Sequence, residues 1–269
     1  MPGLSKQQAL DDLRARIETI EKRPLLAWAA DNTAHPGREL LPIPAGSLHE
    51  VFVDEHRNGG AALGFALAAS RKLLTAERPA LIIALLNRDS QDLGVPYGAG
   101  LKSFGIDPDA IVLCRSDTFV ELLWAVEEAI ACKPVAGVVV DIGTETKTLD
   151  FTASRRLSLR TASGGSTVFL VRYGFEREAT AARFRWRVDP LTSGETQYDA
   201  RAPGPPRWKV ELEKGRLGSR RDPTEWMLDW TENGFALAKS QGTAVHPAAR
   251  SPLPGALSAA LGNRLSKAG

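Results

Sequence analysis

Nine consecutive residues, Asp54-Glu55-His56-Arg57-Asn58-Gly59-Gly60-Ala61-Ala62, join a strand-like run (Leu48 to Val53) to a helical one (Gly59 to Leu74). A glycine-rich turn from strand into helix is where an α/β fold holds phosphate, because backbone amides and the positive end of the helix dipole converge there. A working loop ends in Gly-Lys-Ser/Thr; its lysine reaches the outer phosphates and its hydroxyl binds magnesium. Those places hold Gly59, Gly60 and Ala61 here. No cation then faces a γ-phosphate and no hydroxyl ligates a metal, while Asp54 and Glu55 add negative charge where an anion would sit. Arg57 precedes the glycines rather than following them. The loop is vestigial: the helix amides could attract an anion weakly, but no nucleotide cofactor and no turnover are expected. Gly59 and Gly60 are explained without phosphate, since a tight strand-to-helix turn requires them.

Asp141, after Val138-Val139-Val140, stands where such an enzyme keeps its magnesium-orienting carboxylate. Without partners it reads as a structural or relic acid. The four histidines (His35, His49, His56, His246) are scattered, and no Ser-His-Asp or metal-ligand spacing appears. No catalytic residue and no metal site are expected. Cys114 and Cys132 lie in apolar surroundings, which predicts reduced, buried thiols.

These residues must be positioned by alternating strands and helices. Ala80 to Leu86 is a continuous apolar run, as expected of a strand covered on both faces. Ile111 to Cys114 is a short strand. Thr118 to Cys132 is a helix opened by a capping box, Thr118 with Glu121. Ala136 to Val140 is another buried strand. Asp150 caps a helix through Ala162, and Gly164-Gly165 turns the chain into the strand Thr167 to Val171. Repeated βα units imply an α/β fold with a mostly parallel sheet flanked by helices.

Beyond Tyr173 the pattern changes. Phe184, Trp186 and Val188 alternate with Arg183, Arg185 and Arg187, giving a strand with one apolar and one cationic face. Trp208, Val210 and Leu212 alternate with Lys209, Glu211 and Glu213; Trp226, Leu228, Trp230, the turn Asn233-Gly234, Phe235 and Leu237 follow. This predicts a small antiparallel β extension with tryptophans on its inner face. From Arg172 to Arg221 there are twelve Lys/Arg against seven Asp/Glu. Arg183, Arg185 and Arg187 are therefore candidate contacts to a nucleic-acid backbone, with a solvated strand face as the plainer reading.

The ends differ from the middle. Ser5 to Arg23 has Leu10, Leu13, Ile17 and Ile20 on one helical stripe, which suits either packing on its own core or an arm docking on a neighbouring protein. A Pro/Gly-rich stretch follows. Lys239 to Gly269 is rich in Ala, Pro, Gly and Ser without aromatics, so it is expected to be largely disordered alone. Leu257, Leu261 and Leu265 are spaced so that they could form a short helix in a partner's groove. The organisation expected is thus an N-terminal helix (1–23), a linker (24–45), an α/β core (46–190), the antiparallel extension (200–238) and the tail (239–269).

Composition bounds the partners. With 43% apolar and 25% charged residues the 269-residue chain is of the soluble globular class. A net charge of +2 is too small to argue for nucleic acid by itself. The first residues lack an apolar signal region and the longest apolar run is far too short for a bilayer, so a cytoplasmic protein is expected.

In this order the features resemble the core of the RecA recombinase, from Ser5 to about Pro190. Ser5-Lys6-Gln7-Gln8-Ala9-Leu10 through Ile20-Glu21-Lys22 looks like the helix by which RecA protomers engage each other. Phe104-Gly105-Ile106-Asp107, Ile111-Val112-Leu113-Cys114 and Val138-Val139-Val140-Asp141 follow in RecA's order. The chain is more similar still to the ImuA family, degenerate RecA relatives of the bacterial damage-inducible mutagenesis cassette. Gly46-Ser47-Leu48-His49-Glu50-Val51-Phe52, the run Asp92-Leu93-Gly94-Val95-Pro96-Tyr97-Gly98-Ala99-Gly100-Leu101, and Leu149-Asp150-Phe151-Thr152-Ala153-Ser154-Arg155-Arg156-Leu157 carry that match. Arg207-Trp208-Lys209-Val210-Glu211-Leu212-Glu213 and Trp226-Met227-Leu228-Asp229-Trp230 look like its C-terminal strands.

The resemblance implies a RecA-like core and a non-catalytic adaptor in SOS-induced translesion mutagenesis. Its partners would be an ImuB-like relative of the Y-family polymerases, an error-prone replicative-type DNA polymerase and, as a further candidate, RecA. The residues proposed for such contacts are Leu13, Ile17, Leu257, Leu261 and Leu265. The connections that grip DNA in RecA look shortened, so only weak DNA binding is expected. A DNA-binding accessory protein and a SulA-like inhibitor of cell division are the alternatives.

Overall fold

The computed structural model describes residues 40–238 apart from 42, 93, 144–148, 195–201 and 218–223. The helix expected over 5–23, most of the 24–45 stretch and the tail lie outside the described residues, and with them Leu13, Ile17, Leu257, Leu261 and Leu265. At the near end of that stretch Leu41 is fully buried in the core.

The chain runs β1 (Leu48–Val53), a 3-10 turn (His56–Asn58), α1 (Gly59–Ser70), β2 (Ala80–Leu86), α2 (Asn87–Asp92), α3 (Gly98–Ser103), β3 (Ile111–Ser116), α4 (Phe119–Ala131), β4 (Val135–Gly143), α5 (Phe151–Gly164), β5 (Thr167–Tyr173), β6 (Phe184–Leu191), β7 (Arg207–Lys214), β8 (Glu225–Thr231) and β9 (Gly234–Leu237). Local chemistry fixes the helix ends. The Thr118 hydroxyl accepts from the Glu121 amide (3.2 Å), and the Glu121 carboxylate accepts from the Thr118 amide (3.1 Å), closing the capping box of α4. Asp150 accepts from the Ala153 amide at 2.6 Å and starts α5. Gly165, with φ +76, ends α5, and a Cβ on Gly164 would lie 2.7 Å from the Ile130 carbonyl, so two glycines let α5 close down on α4.

The nine strands form one sheet in the order β3-β2-β4-β5-β1-β6-β7-β8-β9. Strands β3 through β6 in that order are parallel, and β7, β8 and β9 add antiparallel. Strand β6 is the switch: its register with β1 (His49↔Phe184, Val51↔Trp186) is parallel and its register with β7 (Val188↔Val210) antiparallel. The arginine-bearing strand thus closes the parallel core and also begins the extension. Along β4, Val139 packs into the core under α1 while Val138 and Val140 pack into the core under α4 and α5, so the strand reads as a continuous apolar run.

The extension is clamped to the core by its tryptophans. Trp186 Nε1 donates to His49 Nδ1 (3.1 Å), Trp208 Nε1 to the Ala61 carbonyl (3.1 Å) and Trp230 Nε1 to the Ser103 carbonyl (2.9 Å). Each buried indole therefore packs its ring and satisfies its N–H at once. The cysteines depart from expectation: Cys114 is only half-buried and Cys132 is exposed. Strand β3 is the outer strand of the sheet, and Cys132 is the residue at which α4 ends, so apolar sequence neighbours did not bring burial.

A buried charge cluster holds β5, β1 and β6 together. Glu50 on β1 accepts from Arg172 Nη1 of β5 (2.8 Å), from Arg185 Nε of β6 (2.9 Å) and from the Thr180 hydroxyl (2.9 Å). Glu50 and Arg172 are wholly buried. On the same strand, burial pulls the His49 imidazole down to about 3, with the nearby Arg183 charge adding to the effect.

Two outcomes follow for stability. Glu50→Ala removes the buried carboxylate that Arg172 and Arg185 share, leaving Arg172 only the partly exposed Glu178, and is expected to cost about 3–5 kcal/mol by urea denaturation. The triple change Glu50→Leu, Arg172→Met and Arg185→Leu should recover most of that loss, and a triple variant as unstable as the single would argue against the account. His49 binds no proton in the fold until far below its ordinary value of 6.5. Its contribution is therefore complete above 6.5 and lost as the pH falls toward 3, at about 1.4 kcal/mol per pH unit. His49→Gln should remove that slope between pH 6.5 and 5.

Candidate functional site

Strand β1 ends at Val53, and the chain enters the His56–Asn58 turn, which runs directly into α1. The Asn58 amide donates to the Glu55 carbonyl (2.9 Å), and the Gly59 amide to the His56 carbonyl. In a loop that holds phosphate such amides converge on the anion. Here they are spent on the loop's own carbonyls, and the cradle is a helical turn.

Tyr173, the last residue of β5, fills the space beside it. A Cβ on Gly59 would lie 3.0 Å from the Tyr173 ring and 3.1 Å from its hydroxyl, so the glycine admits the ring. The hydroxyl donates to Asp141 Oδ2 (2.8 Å), and Asp141 Oδ1 accepts from the Gly143 amide (3.1 Å). His56 packs edge-on against the same ring at 5.1 Å. The carboxylate at the magnesium-orienting position is thus held by a phenol and a backbone amide.

Gly60, at the lysine position, behaves differently. It is exposed, and no atom lies within 4 Å of a Cβ built on it. Packing does not forbid a side chain there; the loop simply lacks the cation. Asp54 receives Arg177 Nη2 at 2.7 Å and Arg187 Nη2 at 3.0 Å, which neutralises the head of the loop. Arg57 points into solvent and pairs with Glu55.

Asp89, just after β2, completes the acidic side. Its Oδ2 is buried without a hydrogen-bond partner and would lie 3.1 Å from a Cβ on Gly143. Burial pushes the Asp141 carboxyl above its ordinary range; the Tyr173 and Gly143 hydrogen bonds oppose this, and the Asp89 charge reinforces it. Burial and then the Asp141 charge drive the Tyr173 hydroxyl upward, so it remains a neutral donor. Among the described residues no cluster of three or more His, Cys, Asp or Glu is arranged to hold a metal.

The arginines of β6 are engaged elsewhere. Arg185 is bound to Glu50 and to the Glu178 carbonyl (2.7 Å). Arg187 meets Asp54 and reaches Asp189 at 3.7 Å and Glu211 at 3.8 Å. Arg183 lies over the Phe184 ring. The structure therefore brings Gly59 and Asp141 together through Tyr173, and sets Arg185 and Arg187 in a neighbouring ion-pair cluster, while Arg183, just before β6, lies outside it. Sequence reasoning missed Tyr173 and Asp89. The available signal was a phenol closing an otherwise apolar strand beside a glycine turn.

With this geometry in view, comparison with known proteins is informative. No protein-family model matches the chain. It is similar to Protein ImuA of Caulobacter vibrioides strain NA1000 / CB15N, 32% identical over 204 residues, which span 71% of this chain and 78% of that protein. The same figures hold for Protein ImuA of strain ATCC 19089 / CIP 103742 / CB 15. The chain belongs to the ImuA family.

In this ImuA-family chain the buried Asp141 carboxyl has a testable signature. A carboxyl raised by burial stabilises the fold below the ordinary carboxylate range, and that contribution is lost as the pH rises and the group must ionise. Asp141→Asn does not titrate, so its stability relative to wild type should increase from about pH 4 toward neutrality. A difference in urea midpoint that stays constant over that range would count against the buried-acid reading.

Proposed function

We propose that the chain is a non-catalytic adaptor of the SOS-induced, DNA-damage-inducible mutagenesis system. It would link an ImuB-like Y-family polymerase relative to an error-prone replicative-type DNA polymerase, with RecA as a third candidate partner. The observation that carries the non-catalytic part is Tyr173, seated on Gly59 and bonded to Asp141 where nucleotide and magnesium would have to enter. Membership of the ImuA family supports the mutagenesis role over division inhibition of the SulA type. Such an adaptor would work in the cytoplasm, at the chromosome; among the described residues no helix is long and apolar enough to cross a membrane.

The second reading is a DNA-binding accessory, favoured by the excess of cations between Arg172 and Arg221. The ion pairs of Arg185 and Arg187 weigh against it, because a phosphate would have to displace Glu50 or Asp54. The deciding experiment is co-purification of the full chain, and of a chain ending at Ala238, with the ImuB-like protein of the same genome. Single-stranded DNA and magnesium-ATP are assayed alongside. The adaptor reading expects retention by the full chain, no ATP turnover and no DNA binding beyond a weak, salt-sensitive level. Loss on truncation would place the contact in the tail region with Leu257, Leu261 and Leu265. Magnesium-dependent turnover, or tight DNA binding without partner retention, would overturn it.

A further inference from the structure

Helices α4 and α5 cover one face of the sheet side by side, and their outward surface combines apolar and cationic groups. On α4, Val120 is 73% and Trp124 65% exposed. Both share a stripe with Glu127, one and two turns further on. Glu127 is nearly buried because Arg156 of α5 pairs with it and Arg160 of α5 reaches it at 3.3 Å. The stripe bearing Val120 and Trp124 therefore borders α5. There α5 carries Arg155, Arg156 and Arg160, exposes Leu159 (62%), and contains no acidic residue. Glu121 is committed to the cap of α4, and Glu128 lies about 100° further round that helix than Glu127, away from α5. The seam thus pairs an exposed indole and two aliphatic side chains with three guanidinium groups, of which those of Arg156 and Arg160 share one buried carboxylate.

Trp124 is the exposed tryptophan among the described residues; Trp186, Trp208, Trp226 and Trp230 are all buried. An indole beside arginines is a typical anchor of a protein interface, since the rigid ring buries much area at little entropic cost and the guanidinium offers a planar fork for carboxylates. The charge selects the occupant. The chain's own tail carries Lys239, Arg250, Arg264 and Lys267 with no Asp or Glu, so its charge does not complement the arginines. A second copy of the same face would also set arginines against arginines.

We propose that the α4–α5 seam is a docking surface for an acidic, amphipathic helical segment of a partner protein, its apolar face on Val120, Trp124 and Leu159 and its carboxylates on Arg155, Arg156 and Arg160. This rests on the adaptor reading for its biological use, but the surface is tested separately.

The probe is a leucine-and-glutamate amphipathic peptide of about 20 residues, with a leucine-and-lysine counterpart, added to the full-length protein. Acrylamide quenching of wild type minus that of Trp124→Phe isolates the Trp124 signal. The acidic peptide is expected to shield Trp124, and the lysine peptide to leave it open. Trp124→Ala and Arg155→Glu, both at exposed positions, should each weaken binding of the acidic peptide about tenfold. No shielding, equal shielding by both peptides, or unchanged affinity in both variants would overturn the surface. The same variants are then titrated with the ImuB-like and polymerase partners. Partner binding that ignores Trp124 and Arg155 removes the seam and keeps the adaptor. Acidic-peptide binding with no partner binding keeps the seam and removes the adaptor.

Discussion

Glu50 lies wholly buried in the middle of β1 and accepts from Arg172 on β5 and Arg185 on β6, so three adjacent strands are joined by charge as well as by their backbone ladder. Arg172, Arg177 and Arg185 also stack on Phe52, two residues along the same strand. A buried guanidinium without its carboxylate is costly. The alternative registers of β6 are therefore penalised, and the strand is held where it can run parallel to β1 and antiparallel to β7. The extension and its tryptophan clamps depend on that placement.

The same strand junction sets the state of the phosphate loop. Arg177 and Arg187 reach from the β5–β6 region to Asp54, and Tyr173 reaches from the end of β5 to Asp141. The loop is tied down by charge at its head and by an aromatic ring at its glycine. The Asn58 and Gly59 amides, Asp54 and Asp141 each have a partner within the fold, whereas Asp89 Oδ2 is buried beside Asp141 without one. The two carboxyl groups lie close because the ends of β2 and β4 are neighbours in the sheet.

Division of labour between the faces of the molecule follows from the layers. The α1 side is filled by tryptophans and phenylalanines from β6 to β9. Among the described residues the α4–α5 side has no such cover, and its outer surface keeps Trp124 and a row of arginines in view. Helices packed on a parallel sheet can carry such exposed groups on rigid elements without disturbing the core.

The sequence by itself determined the parallel architecture, because fully buried strands such as Ala80–Leu86 read as continuous apolar runs and the capping residues Thr118 and Asp150 mark helix starts locally. It also shows neither a cation nor a hydroxyl at Gly60 and Ala61, since those are matters of residue identity. It could not show that Gly59 serves Tyr173, because the two are brought together only when β5 pairs with β1. Nor could it separate a cationic strand face from an internal ion-pair cluster: Arg185 and Arg187 alternate with apolar residues in either case, and the deciding carboxylates, Glu50 and Asp54, are more than 130 positions away. The exposure of Cys132 was hidden for a related reason: Ile130 and Val135 are buried, but the residues between them, Cys132 included, are exposed where α4 ends. Residue type and local periodicity are written in the chain, whereas the partner that neutralises a buried charge or fills a vacated site is chosen by which strands lie side by side.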